Sequence, residues 1–184
     1  MKKLYWKPQR ISLRLLWIVA IFSILGLITV EAYTVREKQP HYSKKIKAAQ
    51  LALKAFEVLR EERLKRGLTI NEESDPNKTG LIGELLSPIT TNPGHLPAKQ
   101  ISANPNFAAV IVHLLKRAGV KEGDKVAVGI SGSFPAINIC VFAALSTLKV
   151  DPIIISSAGS SQWGANHPDF MWPDMEKALR DRYV

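Results

Sequence analysis

Two serines flanking one glycine, Ser131 and Ser133 in the run GISGS at 129–133, are the residues of this chain best placed to do chemistry. The run half-matches the nucleophile elbow G-x-S-x-G, in which a strand-to-helix turn presents a serine to a substrate carbonyl. Ser133 stands where the last glycine of that pattern belongs. His167 and Asp169 lie downstream and would complete a relay, with His167 as the base for either serine. The missing glycine, and the single residue between His167 and Asp169, count against that arrangement. The other reading makes Ser131, Gly132 and Ser133 a ligand-binding loop. Backbone N–H groups at a helix N-terminus favour an anion or a polar ligand there.

Other chemistries lack their residues. No lysine follows a G-x-x-x-x-G pattern near this loop, so a phosphoryl-transfer loop is excluded. The dinucleotide pattern G-x-G-x-x-G is also missing, and no cofactor is expected. Asp75, Glu84, His95, His167 and Asp169 show no metal-ligand spacing, so no metal is expected. A second small-residue loop, SSAGSSQWGANHPDFMW at 156–172, repeats the theme of the first. Ser160, Ser161 and Asn166 stand beside Trp163, Phe170 and Trp172, a mixture that suits a binding pocket. A packed surface loop anchored by the two tryptophans is the alternative. Lys99 is a candidate partner for a carboxylate.

The elements that must position these residues form a βαβ unit over 126–156. Val126 to Ile130 reads as a buried strand, and 135–148 is an almost wholly apolar helix with Pro135 in its first turn. Residues 152–156 read as the second strand. The strands should be parallel, with the 130–135 and 156–165 loops side by side at their carboxyl ends. Upstream, 43–66 reads as an amphipathic helix capped by Ser43, with a stripe of Ile46, Ala49, Leu53, Phe56 and Leu59/Arg60, ended by Gly67. Residues 79–87 read as a short helix with Leu81, Ile82, Leu85 and Leu86 inward. Residues 87–106 hold four prolines and read as either a long ordered loop lining a site or a flexible connection. Helix 107–118 should bury Val110, Ile111, Leu114 and Leu115, and a last helix covers 173–182. Cys140, the only cysteine, sits among apolar neighbours and reads as a core thiol. Two strands make a poor sheet. Either a strand lies hidden in 87–106, or the chain is part of a longer protein.

Charge is distributed unevenly along the 184 residues, whose net charge is +9. Residues 1–30 carry five bases and no acid, residues 31–70 ten bases and five acids, and residues 71–184 ten bases and eleven acids. The basic balance therefore belongs to the N-terminal region and does not argue for nucleic acid. Leu15 to Val30 is free of charge and spans roughly 24 Å as a helix, which Leu13, Ile11 and a snorkelling Arg14 extend. Tyr5, Trp6, Trp17 and Tyr33 flank it at interfacial positions. The five preceding bases place the N-terminus in the cytoplasm and the rest of the chain outside. A cleaved signal peptide, ending near Ala32, and a buried helix of a soluble protein are the competing readings. The expected organisation is a basic cytoplasmic tail at 1–14, a transmembrane anchor at 15–33, a linker at 34–42 and an extracytoplasmic domain at 43–184. The fold class is α/β: a transmembrane helix, then a partly parallel three-layer α/β domain, truncated at the C-terminus.

Four segments together resemble one family. DPNKTGLIGELLSPITTNPGHLPAKQ, NFAAVIVHLLKRAG, GDKVAVGISGSFPAIN and SSAGSSQWGANHPDFMWPDME are similar to the poly-gamma-glutamate system proteins, over roughly residues 10–184. The distinctive pieces are TGxIG, SGSFPAxN and SSxGSSxxGAN. Members are membrane-associated bacterial proteins encoded with capsule-type polymer-synthesis machinery, and they are generally longer than this chain. No defined reaction comes with the family. The resemblance implies a cell-membrane accessory protein of polymer synthesis or export, with other membrane proteins of the system, and an anionic polymer, as partners. It marks Thr79, Gly80, Gly83, Thr90, Thr91, Lys99, Ser131, Ser133, Asn138, Ser160, Ser161 and Asn166 as site residues. A serine hydrolase or transferase acting on glutamyl linkages, and a non-catalytic scaffold, are the alternatives.

Overall fold

The computed structural model describes residues 12–34 and 37–182. The bases and aromatic residues expected to lie in the cytoplasmic tail before residue 12, including Tyr5 and Trp6, fall outside the described residues. The chain divides into two units, residues 1–39 and 40–184.

In the first unit, helix α1 runs Leu13–Ala32, two residues earlier than the uncharged run predicts. Ser12 caps it, its hydroxyl accepting from the Leu15 N–H at 3.3 Å. The mean hydropathy is 2.4 and no residue of the helix is buried within the chain. Twenty residues reach about 30 Å, the thickness of a hydrocarbon core. Thr29 donates its hydroxyl to the Leu25 carbonyl at 2.7 Å, so even this polar group is satisfied within the helix. The helix is long and apolar enough to cross a membrane, and near the N-terminus a signal sequence has the same character.

The second unit is mixed α/β. Its elements are α2 (Tyr42–Lys65), α3 (Leu96–Ser102), α4 (Phe107–Arg117), β1 (Lys125–Ser131), α5 (Pro135–Leu148), β2 (Asp151–Ser157), β3 (Asn166–His167), β4 (Phe170–Met171) and α6 (Trp172–Asp181). β1 and β2 pair in parallel from Lys125 opposite Asp151 to Ser131 opposite Ser157. β3 and β4 form a two-residue antiparallel hairpin that hydrophobic patterning is too short to reveal.

The core lies among α2, α4, α5 and α6, with α5 set against β1. Trp172, Phe170, Leu59, Ile139, Leu148 and Met175 are fully enclosed. Cys140 is buried as expected, and desolvation pushes its thiol up to about 12, which keeps it un-ionised. Val126, Val128 and Ile130 lean on this core. On the opposite face Ile153 and Ile155 are 59% and 78% exposed, alongside Ala127 and Gly129. Among the described residues, then, helices cover one face of the sheet only.

Several helix faces differ from the sequence reading. α2 starts at Tyr42 with His41 in the left-handed region at the cap, and the Ser43 hydroxyl does not cap it. Its buried stripe is Ala48, Ala52, Ala55, Phe56 and Leu59, while Ile46 and Leu53 stay exposed. Small alanines let α2 approach α5 closely, and that contact outweighs burying larger side chains. In α4 the enclosed residues are Ala108 and Val112; Ile111 and Leu115 are half-buried, and Val110 and Leu114 are exposed.

No helix forms over 79–87. Leu81 and Ile82 point inward as expected, but Leu85 and Leu86 are exposed because the backbone there is bonded to the 163–166 segment instead. The proline-containing stretch 87–106 holds α3 and a single parallel bridge, Thr90 to Ser160, rather than a strand.

Candidate functional site

The parallel register brings the carboxyl ends of β1 and β2 together, and the loops beyond them interlock. Gly132 donates its N–H to the carbonyls of Ser157 (3.2 Å) and Gly159 (3.0 Å), and its own carbonyl accepts from Ala165 N–H at 2.7 Å. Ser160, fully buried, donates its hydroxyl to the same Gly132 carbonyl at 3.0 Å. Ser133 accepts from the Ser161 N–H at 3.1 Å, and the Asn138 side-chain amide donates to the Ser131 carbonyl at 2.7 Å. Thr91 donates from both N–H and hydroxyl to the Ser160 carbonyl. These hydroxyls and amides are therefore struts between two loops, a use that the small-residue pattern does not distinguish from ligand binding.

At the centre of the struts sits Lys99, delivered by α3 and only 3% exposed. Its ammonium donates to the Ser133 carbonyl and, at 2.8 Å, to the Ser161 hydroxyl oxygen. It also lies 3.7 Å from the centroid of the Phe134 ring, a cation–π contact. No carboxylate forms an ion pair with it among the described residues. Desolvation brings the ammonium down to about 8.

This has a measurable consequence. A lysine whose folded value is depressed destabilises the fold while charged. Its contribution is flat below pH 8, and stability rises as pH climbs from about 8 toward 10.5. We expect the stability of Lys99→Met to lack that rise. The difference in slope, read from thermal unfolding across pH 7 to 10.5, amounts to at most about 3 kcal/mol. Parallel profiles for the two proteins would contradict a buried, titrating Lys99.

Asn166 forms a second hub. Fully buried, it accepts from the Glu84 N–H at 2.8 Å and donates to the Glu84 carbonyl (2.8 Å) and the Thr90 hydroxyl (2.9 Å). Gly83 and Gly164 pack against each other beside it: a Cβ on Gly83 would lie 2.0 Å from the Gly164 carbonyl oxygen. Thr79 and Gly80 sit apart from Lys99, in a loop organised by Asp75. That carboxylate, 1% exposed, accepts from the Thr79 N–H and hydroxyl and, at 2.7 Å, from the Gly80 N–H. Arg63, buried one layer below, donates to the carbonyls of Thr69, Gly80 and Ile82. Burial lowers its guanidinium from the ordinary value, with Glu84 and Asp75 opposing.

Of the residues singled out in the sequence, Lys99, Ser131, Gly132, Ser133, Asn138, Ser160 and Ser161 come together, with Thr90, Thr91 and Asn166 adjoining. His167 does not join them. It lies in the β3–β4 hairpin, where Nδ1 accepts from the Asp169 N–H at 3.1 Å, and it makes no hydrogen bond to Ser131 or Ser133. The titratable group against the serines is Lys99, which sequence spacing could not pair with Ser161 across 62 positions. Asp75 and Arg63 were also missed as organisers, since a lone acid in a polar loop and a base on a helix give no signal until they are buried. Among the described residues no cluster of His, Cys, Asp and Glu could hold a metal ion.

Compared with known proteins, the chain matches no family model, no curated protein and no solved structure.

Proposed function

We propose that this chain is a single-pass membrane-anchored accessory protein of poly-gamma-glutamate synthesis or export. In this reading the N-terminus is cytoplasmic and the α/β domain stands outside the cell membrane. The domain binds the polymer, its precursor or another membrane protein of the system. The observation that carries the reading is the convergence of the family-like segments on one cation. Gly83 of TGLIG rests on Gly164 of the second loop, and Ser133 of SGSFPAIN is joined to Ser161. Lys99, without a carboxylate partner among the described residues, lies between those two serines. A ligand carboxylate would approach it from the side of Phe134, which is 37% exposed. We place the third layer of the domain on the bare face of Ile153 and Ile155, contributed by further chain or by a partner subunit.

A second reading is favoured by one contact, the 2.8 Å between Lys99 Nζ and Ser161 Oγ. A lysine near 8 is neutral in an appreciable fraction at pH 7 and can act as a base. Here Ser161 and Lys99, rather than Ser131 or Ser133 with His167, would cleave a glutamyl amide.

Full-length protein in nanodiscs, incubated with poly-gamma-glutamate, separates the readings. We expect binding without chain shortening, about tenfold weaker in Lys99→Met, or about 1.4 kcal/mol. Cleavage abolished by Ser161→Ala would install the second reading. No binding at all would leave a scaffold. A reporter fused after residue 40 is expected to read as extracytoplasmic, and a cytoplasmic signal would overturn the topology.

A further inference from the structure

One sizeable cavity lies away from the strand-end loops. It is an open groove of about 650 Å³ between α2, the 77–79 loop and the end of α3. This volume falls in the range of sites that hold small ligands. Its walls are fixed. Asp75 locks the loop through three donors, and Gly80, in the left-handed region at φ +73°, rests against the backbone of Arg60 on α2.

The groove is lined by hydrogen-bonding groups with spare capacity. Among the described residues the Arg60 guanidinium makes no ion pair and no hydrogen bond, so it is open to a carboxylate. Among the described residues the Asn77 side-chain amide has no partner. Gln100 uses its amino group on the Ser74 carbonyl at 3.0 Å, which leaves its oxygen open. Asn104 uses its oxygen on the Asn106 N–H at 2.9 Å, which leaves its amino group open. Glu57, one turn before Arg60, is likewise unpaired among the described residues and can accept an N–H. Between these groups lie Phe56 and the 67%-exposed Ile101.

A guanidinium that donates to a carboxylate, amide donors and acceptors on both sides and an apolar floor match one chemistry. The geometry points to this groove as a binding site for a short amide-linked chain bearing free carboxylates, with a carboxylate on Arg60 and chain amides on Asn77, Gln100 and Asn104. The site is distinct from the Lys99 cluster. It deepens the polymer-binding reading by naming where a glutamyl chain would lie, but it does not depend on the γ linkage.

The test uses full-length protein in nanodiscs and titration calorimetry with four probes: α-linked triglutamate, γ-linked triglutamate, triglutamine and short polyacrylate. We expect the triglutamates to bind at least tenfold more tightly than triglutamine, which lacks side-chain carboxylates, and than polyacrylate, which lacks amides. Arg60→Gln, at an exposed position, should lower triglutamate affinity about tenfold. Ile101→Glu, which adds a like charge to the floor, should do the same without touching Arg60. Equal binding by wild type and both variants would overturn the groove while leaving polymer binding elsewhere intact. Binding of the α-linked probe alone, sensitive to Arg60, would uphold the groove and remove the poly-gamma-glutamate reading. Polyacrylate binding as tightly as triglutamate, or no binding of either triglutamate, would overturn the proposal.

Discussion

Replacing Gly164 by alanine is expected to destabilise the domain by about 3 kcal/mol or more, the upper end for overpacking a filled interior. A Cβ there would meet the Ser160 hydroxyl oxygen at 2.3 Å, the Gly132 carbonyl oxygen at 2.6 Å and the Ser133 Cα at 2.9 Å. Two of those three atoms are backbone and cannot rotate away. The β1–α5 loop and the 158–165 loop would have to separate, breaking the Gly132 and Ser160 bonds that join them. Gly83→Ala should behave alike, with clashes at 2.0 Å and 2.3 Å against the Gly164 carbonyl and the Asn166 side chain. Gly129→Ala is the control, since nothing lies within 4 Å of its Cβ position. For a domain of this size a 3 kcal/mol loss corresponds to roughly 10 °C in thermal midpoint, measurable on the full chain in mild detergent. A midpoint for Gly164→Ala within about 2 °C of wild type would refute the close packing of these loops.

Asn166→Ala is expected to cost about 2–4 kcal/mol, because it removes three hydrogen bonds of a fully buried side chain at once. The consequences at its partners are unequal. The Glu84 carbonyl keeps the Trp163 N–H at 2.8 Å, and the Thr90 hydroxyl keeps Ser87. The Glu84 N–H, which donates to the Asn166 side chain, is left without an acceptor. Amide exchange at Glu84 should therefore speed up more than exchange in the middle of α5, which this residue does not touch. Uniform loss of protection across the domain, or none, would show that Asn166 is not the local tie between the 83–90 and 160–166 segments.

These predictions turn on contacts of different legibility. The βαβ unit was readable because each part has a periodic or compositional mark: two β-branched runs, a helix without a polar face and Pro135 at its first turn. Its observed ends lie within one residue of the reading. The uncharged N-terminal run announced α1 in the same way. Helix faces were less legible. A stripe in α2 drawn through Ile46 and Leu53 assumes that the largest apolar groups go inside, whereas close packing against α5 selects the alanines one position away. The helix expected over 79–87 failed because Asn166, some eighty positions later, supplies hydrogen bonds that hold Glu84 non-helical.

By itself the sequence determined the local elements, the apolar helix near the N-terminus, the uneven charge and the placing of two small-residue loops at the carboxyl ends of parallel strands. Those follow from interactions between residues close in the chain, where spacing alone decides which side chains share a face. Only the tertiary structure decided what the loops do. It put Lys99 against Ser133 and Ser161 with no carboxylate partner among the described residues, left His167 bonded within its own hairpin and opened a groove beside Arg60. The cause is desolvation. A lysine, an asparagine or a glycine acquires its role from what surrounds it once water is removed, and those neighbours come from segments dozens of residues apart.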